Sequence, residues 1–548
     1  MKKDSTVNTD PFSLQSLGRL PASKREREKA IHYVRLQKIT FSALTFNRNC
    51  NPHSNDYKNP TFLPTFLPST TITTTIFKAL PTTMSLRSSS SRILARATTT
   101  TTTPRAPAAL ATARCLSTIS ASTGSKTCNS IAHKPSAQHL VSAIRTFSTS
   151  SPTNAEFESP FGVNSLAKFT EEEEMLREAV QRFAQDNVAP KVEAMDEAEK
   201  MDPEIIKGLF EQGLMGIETS ADHGGAGCSF TAAIIVIEEL AKVDPSVSVL
   251  CDVHNTLVNT VIRKYASKHI QDKYLPALSE KTLGSFCLSE PASGSDAFAM
   301  KTSCKKSADG KSWTINGSKM WITNSAEAEF FIVFAQSDPS QGYKGINAFA
   351  VEKSMGVEIA KKEKKLGIKA SSTCTLNLDD IIVPAENLIG EEGKGYKIAI
   401  EILNEGRVGI AAQMIGLAQG AVDKAIRYAA DRKQFGKKIT QFQGMQFQIS
   451  QIMMEIQAAK ALTYNAARLK EEGRPFTKEA AMAKLYASQV AQRASGSAIE
   501  WCGGVGFTRE TGIEKYWRDS KIGAIYEGTS NIMLETIFKL VEREMDLK

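Results

Sequence analysis

Near the C-terminus of this 548-residue chain, the stretch Ile525-Tyr-Glu527-Gly-Thr-Ser-Asn531 sets one carboxylate between apolar residues and a turn. Lys521 to Tyr526 offer it little polar company, and a poorly solvated carboxylate has a raised pKa and greater basicity. Gly528 lets the backbone come close to a ligand, while Thr529, Ser530 and Asn531 can cap a helix expected over 532–541 and offer hydrogen bonds. A second stretch, Cys287 to Ala297, combines small residues with Ser293, Ser295 and Asp296, a polar loop that a flat or phosphorylated ligand could approach. A third, Trp321-Ile-Thr323, would set an aromatic wall beside a hydroxyl donor. Taken singly, these stretches read more readily as a capping-region glutamate, a surface loop and a core tryptophan.

The elements that would carry them fall into three blocks. Thr170 with Glu173 three residues later announces a capped amphipathic helix, and helices are expected over 203–212, 231–242, 255–265 and 270–278. The glycine-rich Asp222 to Gly227 lacks the strand, helix and downstream acid of a dinucleotide fingerprint, so it reads as a turn. From Leu283 the texture becomes strand-like, with Asn316-Gly317 as a hairpin signal and further strands at 330–334, 348–351 and 373–378. Helical periods return from Gly395 over 398–404, 408–432, 441–471 and 478–501. The stripe Phe447, Ile449, Ile452, Met453, Ile456, Ala459 and Leu462 reads as bundle core. The fold class is therefore α+β: a helical domain over 165–284, a mostly antiparallel β domain over 285–394 and a helical bundle over 395–548.

Composition narrows the function classes. With 41% hydrophobic residues the chain can bury a large core, and no apolar run is long enough for a spanning helix. The net charge of +8 does not point to nucleic acid, because residues 57–155 contain no acid and carry scattered Arg and Lys. That segment is rich in Ser, Thr, Ala and Arg, the composition of a mitochondrial transit peptide, with Arg145 to Ser148 resembling a processing site; residues 1–155 are expected to form an extension without fixed structure. The nine cysteines show no paired spacing, and Cys251-x-x-His254 reads as core rather than metal ligation.

The pieces together resemble one family, the flavin-dependent acyl-CoA dehydrogenases. The motifs that carry the likeness are Leu288-Ser289-Glu290-Pro-x-x-Gly294-Ser295-Asp296, Gly317-x-Lys-x-Trp321-Ile322-Thr323, Asp431-Arg-x-x-Phe-Gly436, Gly503-Gly-x-Gly506, Arg518-Asp519 and Tyr526-Glu-Gly-Thr529, in the family's order. Lys365 to Thr373, Asn404 to Arg407 and Leu462 to Arg468 look most like the short/branched-chain, 2-methylacyl-CoA type.

The resemblance implies non-covalent FAD, lined by Leu288, Ser289, Glu290, Ser293, Gly294, Ser295, Asp296 and Ala297 and flanked by Trp321, Ile322 and Thr323. It implies that Arg432, Gln443 and the turn Glu500, Trp501, Cys502, Gly503 and Gly504 reach the FAD of a neighbouring subunit, and that Thr529, Ser530 and Asn531 meet its adenosine-diphosphate part. Ala297, Tyr343, Tyr396, Asn404, Glu405, Gly406 and Arg407 match acyl-CoA-contacting positions. Glu527 is the implied base for an α-proton, with a β-hydride passing to the flavin to leave a trans-2-enoyl-CoA. Some members place the base immediately before the residue matching Arg407; here that position is Gly406, and Glu405 takes a structural role. Electron-transfer flavoprotein as acceptor, a homotetramer, the mitochondrial matrix and branched-chain amino acid catabolism are further implications. A straight short-chain dehydrogenase, an acyl-CoA oxidase and a non-catalytic flavoprotein scaffold are the competing readings.

Overall fold

The computed structural model describes residues 168–547, so the extension and transit peptide expected over 1–155 lie outside the described residues. Helix α1 (Glu171–Phe183) begins with a reciprocal cap. The Thr170 hydroxyl accepts from the Glu173 N–H at 3.2 Å, and the Glu173 carboxylate accepts from the Thr170 N–H at 3.0 Å. Helices α2 (Val192–Ala198), α3 (Pro203–Glu211), α4 (Phe230–Val243), α5 (Pro245–Asp252), α6 (Thr260–Tyr265) and α7 (Lys268–Glu280) follow. The helix expected over 255–265 is longer, because α5 passes through a wide π-helical stretch, Val253–Asn259, into α6. Every residue of α5 is buried, so no polar face marks a helical period in its sequence. Cys251 and His254 sit in this core: His254 Nε2 donates to the Leu278 carbonyl at 2.8 Å, and Cys251 Sγ donates to the Leu214 carbonyl at 3.3 Å.

The next block is an eight-stranded, mostly antiparallel sheet. Its strands are β1 (Gly284–Cys287), β2 (Ser303–Lys306), β3 (Ser312–Thr323), β4 (Phe330–Gln336), β5 (Ile346–Glu352), β6 (Glu358–Lys362), β7 (Thr373–Pro384) and β8 (Leu388–Ile389), in the order β6-β7-β3-β2-β4-β5-β8 with β1 parallel to β4. Strand β4 is buried on both faces. Phe330, Ile332 and Phe334 pack with helix residues such as Leu275 and Ile402, while Phe331, Val333 and Ala335 pack with Trp313, Ile315 and Leu376 of β3 and β7.

Asn316-Gly317 does not turn the chain. Strand β3 runs straight through it, with a register shift against β7 between Ile315 and Gly317. The Asn316 amide instead bridges to β7, donating to Asp380 Oδ1 at 3.0 Å and accepting from the Asp380 N–H at 2.8 Å. A Cβ at Gly317 would stand 2.6 Å from Thr302 Oγ1, so the glycine answers a close approach of backbone within the sheet rather than a reversal.

The last block is helical: α8 (Gly395–Asp431), a small hairpin of β9 (Lys433–Gln434) and β10 (Lys437–Lys438), then α9 (Gln443–Glu471), α10 (Thr477–Cys502), α11 (Gly504–Phe507), α12 (Ile513–Ser520) and α13 (Ser530–Glu544). The two helices expected over 398–404 and 408–432 are one, 37 residues and about 55 Å long. Within it Gly416 and Gly420 lie against α4, where an added Cβ would stand 2.1 Å from the Glu238 and Lys242 carbonyl oxygens. The stripe on α9 is only partly core: Ile452, Ile456 and Ala459 are buried, whereas Phe447 is 65% exposed. Periodicity identified the apolar face but not whether this chain alone covers it.

Candidate active site

Glu527 sits between α12 and α13 with a left-handed backbone (φ +51°), followed by Gly528 at φ +96°. Two successive left-handed residues reverse the chain before Thr529, which caps α13 by accepting from the Ile532 N–H at 3.4 Å. The helix thus starts at Ser530, two residues earlier than the sequence suggested.

The turn aims the glutamate inward. As a residue Glu527 keeps some exposure, but its Oε2 is enclosed and has no hydrogen-bond partner. Burial pushes its carboxyl up to about 7, against the opposing pull of Arg407 and then Lys484. Arg407 is held through Nη1 by Asn404 Oδ1 at 2.8 Å, and its Nε is likewise enclosed and unbonded. Burial lowers the Arg407 guanidinium from its usual value, with Glu527 resisting. An orphaned carboxylate oxygen and an orphaned guanidinium N–H in one enclosed place are polar capacity left for a ligand.

Gly406 explains why a helix former is missing from the middle of α8. A Cβ there would stand 3.0 Å from Glu527 Oε2 and 2.9 Å from Leu257 Cδ2. A side chain at 406 and the Glu527 carboxylate would therefore contend for one volume, so the two alternative base positions address the same place. Glu405 is elsewhere: its carboxylate pairs with Lys264 and, at 3.5 Å, with Lys470, and it is 2% exposed. The Glu405 side chain, expected among the substrate contacts, is thus committed to these two lysines, and neighbouring helix positions point about 100° apart.

Tyr396 and Tyr343 come together with their ring centres 4.8 Å apart, and Phe298, which the sequence reading passed over, packs on Tyr396 at 4.3 Å. Phe298 directly follows Ala297, so the polar loop ends at this aromatic cluster. Tyr396 and Arg407 are eleven positions apart on α8, nearly one face, and about 16 Å along its axis. One helix face thus runs from the aromatic cluster to the enclosed carboxylate.

The loop after β1 is pinned from below. Glu290 accepts from Lys319 Nζ at 2.8 Å and from the N–H groups of Lys301 and Thr302 at 2.6 and 3.1 Å. Burial alone would raise the Glu290 carboxyl, yet Lys319 and these bonds hold it below its usual value. The side chains of Glu290, Leu288 and Ile322 are buried, which leaves the backbone at these positions to line a ligand. Gly294, Ser295 and Asp296 are exposed, as is Trp321 at 54%. Trp321 has φ +65° at the β3–β7 irregularity, and a left-handed tryptophan is strained and presents its ring outward.

Arg432 and Gln443 are not part of this place. Both are exposed at the far end of α8, about 37 Å along the axis from Arg407. They share that end with the 500–504 turn, because Trp501 Nε1 donates to Gln448 Oε1 at 3.0 Å. Trp501 and Cys502 are both 4% exposed and point into the bundle, so only Glu500, Gly503 and Gly504 of that turn face outward. The pair Arg518-Asp519 serves the frame: Arg518 holds Asp196 at 2.7 Å, and Asp519 accepts from the Ile368 N–H at 2.6 Å.

Lys484 was also missed. It is fully buried on α10 and donates through Nζ to the Gly528 carbonyl at 2.5 Å. Its signal in the sequence is a polar spacing, Lys484, Ser488, Gln492 and Ser495, on a helix whose other inward residues are mostly alanine.

Profiles described as the acyl-CoA dehydrogenase N-terminal, middle and C-terminal domains match residues 170–282, 285–381 and 393–541. The short/branched chain specific acyl-CoA dehydrogenase of Rattus norvegicus mitochondria is 53% identical over 380 residues, covering 69% of this chain and 88% of that protein. A probable short/branched chain specific acyl-CoA dehydrogenase of Dictyostelium discoideum is 54% identical over 385 residues, covering 70% and 93%. The mitochondrial short-chain specific acyl-CoA dehydrogenase of Mus musculus is 41% identical over 372 residues, covering 68% and 90%. Among solved structures, a chain of the electron transferring flavoprotein of Acidaminococcus fermentans matches with a TM-score of 0.68 at 40% identity, covering 69% of this chain and 99% of that one. Butyryl-CoA dehydrogenase from Megasphaera elsdenii matches at 0.67 and 38%, covering 68% and 99%. An acyl-CoA dehydrogenase complexed with FAD from Bacillus anthracis matches at 0.66 and 31%, covering 70% and 69%.

A glutamate whose carboxyl is raised from its ordinary value to about 7 costs the fold nothing below about pH 4.5, increasingly more up to about 7, and a constant amount above. Glu527→Gln is therefore expected to raise the thermal midpoint by about 2–4 °C at pH 8 and to change it little at pH 5. Thermal scans across that range check it, and equal shifts at both ends would show that Glu527 ionises in the fold as it does in water.

Proposed function

The chain belongs to the acyl-CoA dehydrogenase family, and we propose that Glu527 is the base with which it begins the oxidation of its thioester. It is an FAD-dependent oxidoreductase that dehydrogenates short or branched-chain acyl-CoA. The observation that carries the base assignment is the enclosed, unbonded Oε2 of Glu527 beside Arg407, with Gly406 leaving the room.

The residues suit FAD. A strained, outward-facing Trp321 ring and the exposed Gly294-Ser295-Asp296 backbone suit a flat group, and the first turn of α13, with Ser530 and Asn531 after the Thr529 cap, suits phosphate. When bound, FAD supplies the acceptor for the hydride that leaves the β-carbon. The chain's own part is the proton. A thioester α-proton is weakly acidic, so the base must be little solvated and yet ionised at neutral pH. Burial does the first, and the cations of Arg407 and Lys484 do the second. Among the described residues, no backbone acceptor takes up the Glu527 N–H, which leaves it for the thioester oxygen as enolate charge develops. Loss of the α-proton to Glu527 and of the β-hydride leaves a 2-enoyl-CoA. The aromatic cluster of Phe298, Tyr343 and Tyr396 lies on the same helix face and suits the rest of the acyl-CoA.

The finer reading within the family is 2-methyl-branched substrate preference, supported by 53% and 54% identity to short/branched-chain relatives against 41% to a short-chain one. Electron-transfer flavoprotein is the proposed acceptor, as membership of the family implies. A homotetramer is proposed because Arg432, Gln443, Gly503 and Gly504 gather far from Glu527, and because Phe435, Phe447, Phe507 and Phe538 are 93%, 65%, 81% and 62% exposed. The likeness to mitochondrial relatives supports the organelle as the location, and the matrix is the proposed compartment within it.

Bleaching of the yellow enzyme under anaerobic conditions should be faster with 2-methylbutyryl-CoA than with butyryl-CoA; the reverse order sinks the branched assignment. Glu527→Gln should keep FAD and lose bleaching by at least about a thousandfold, and near-normal bleaching would remove Glu527 from the role of base. Light scattering should give a tetramer that Phe447→Asp dissociates into smaller species, whereas a monomeric wild-type enzyme would contradict the shared-site reading. Fractionated mitochondria should release the protein with soluble matrix markers, and its recovery in the intermembrane space would refute the placement.

A further inference from the structure

The segment that delivers Glu527 is laced to one helix. From α10, Ser495 Oγ meets Ser520 Oγ at 3.4 Å, and Gln492 Oε1 accepts from Lys521 Nζ at 3.0 Å. Ser488 Oγ lies 2.8 Å from the Gly523 carbonyl, its one hydrogen shared with the Lys484 carbonyl at 2.7 Å, and Lys484 Nζ donates to the Gly528 carbonyl at 2.5 Å. The four residues are spaced three to four apart along the helix and meet positions 520, 521, 523 and 528 in the opposite direction, so one polar stripe runs antiparallel beside the segment. Its last member is out of character. Lys484 is 0% exposed, where burial presses the ammonium down to about 7, and an apolar side chain would fill the space without that desolvation cost.

What the ammonium reaches is the carbonyl of the second of two left-handed residues, Glu527 and Gly528, the first of which carries the carboxylate. We infer that Lys484 is a positioning residue for Glu527: its bond to the Gly528 carbonyl pins the reversed turn, and in its protonated form it favours the ionised neighbouring carboxylate, the form that can take up a proton. The inference rests on the reading of Glu527 as the base.

The other charges facing Glu527 leave this role open. Arg407 reaches it from α8 as a second cation. Asp252 faces it from α5, where burial first, and the charge of Glu527 after it, push that carboxyl well above its usual range, with Thr256 Oγ1 donating to it at 2.8 Å. The adjoining Tyr526 hydroxyl is engaged by Gln413 and stays protonated. Removing Lys484 therefore leaves one cation for a carboxylate that burial disfavours.

The test uses the FAD-loaded enzyme with two substitutions, Lys484→Met, which removes donor and charge, and Lys484→Gln, which keeps a neutral donor. Hydrogen exchange over residues 525–531 should accelerate about tenfold in Lys484→Met and stay within about twofold in Lys484→Gln. In both, the acidic limb of the kcat/KM profile should move up by about one pH unit, with kcat at pH 7 falling about tenfold in Lys484→Met and KM changing less than about threefold. Unchanged exchange or an unmoved limb in Lys484→Met overturns the inference, and should that variant fail to assemble, an unmoved limb in Lys484→Gln does so. Failure of the base reading is distinguishable, because Glu527→Gln would then turn over normally while exchange over 525–531 still reports on the turn.

Discussion

A carboxylate taken out of water beside two cations is the interaction on which the rest of this structure depends. Enclosure alone would protonate Glu527 and make it useless as a base, and full pairing with Arg407 or Lys484 would quench it. The fold stops between these limits: Oε2 has no hydrogen-bond partner, Arg407 is turned through Nη1 to Asn404, and Lys484 is turned to a backbone carbonyl. Both groups act on the carboxylate through space, with no hydrogen bond to its Oε2. The group that results is ionisable near neutrality and still basic.

That balance needs rigid walls, and the long helix α8 supplies them. Its close approach to α4 at Gly416 and Gly420 fixes its position, and the absence of a side chain at 406 admits Glu527. The same helix carries Tyr396 two to three turns earlier, so the aromatic cluster and the carboxylate are held in register by one backbone. The sheet adds the third wall. Its strand β4 is packed on both faces, and the buried Lys319–Glu290 pair ties the loop after β1 to β3, which leaves the strained Trp321 facing outward.

The sequence made some of this legible because the determining physics is local. The cap at Thr170, the apolar surroundings of Glu527 and the small residues of 293–297 each depend on neighbours a few positions away. It misled where a local signal served a distant contact. Asn316-Gly317 has the composition of a hairpin turn but bridges to Asp380 and yields to Thr302 within a straight strand. The expected helices over 398–404 and 408–432 left Gly406 between them, where glycine costs about 1 kcal/mol in a helix interior, and what accounts for it, the Glu527 carboxylate, lies 121 positions away. Phe447 had core periodicity, and whether that face is covered is not a property of one helix.

By itself the sequence determined the class of the fold and the family and singled out the carboxylate proposed as the base, since patterning and ordered motifs survive without coordinates. Only the tertiary structure decided what surrounds that residue. It turned Glu405 away to Lys264 and Lys470, sent Trp501 and Cys502 into the bundle, separated Arg432 and Gln443 from Glu527, and brought in Lys484 and Phe298. The physical reason is that desolvation and through-space charge depend on which atoms are near, and nearness here joins helices, strands and turns that are far apart in the chain.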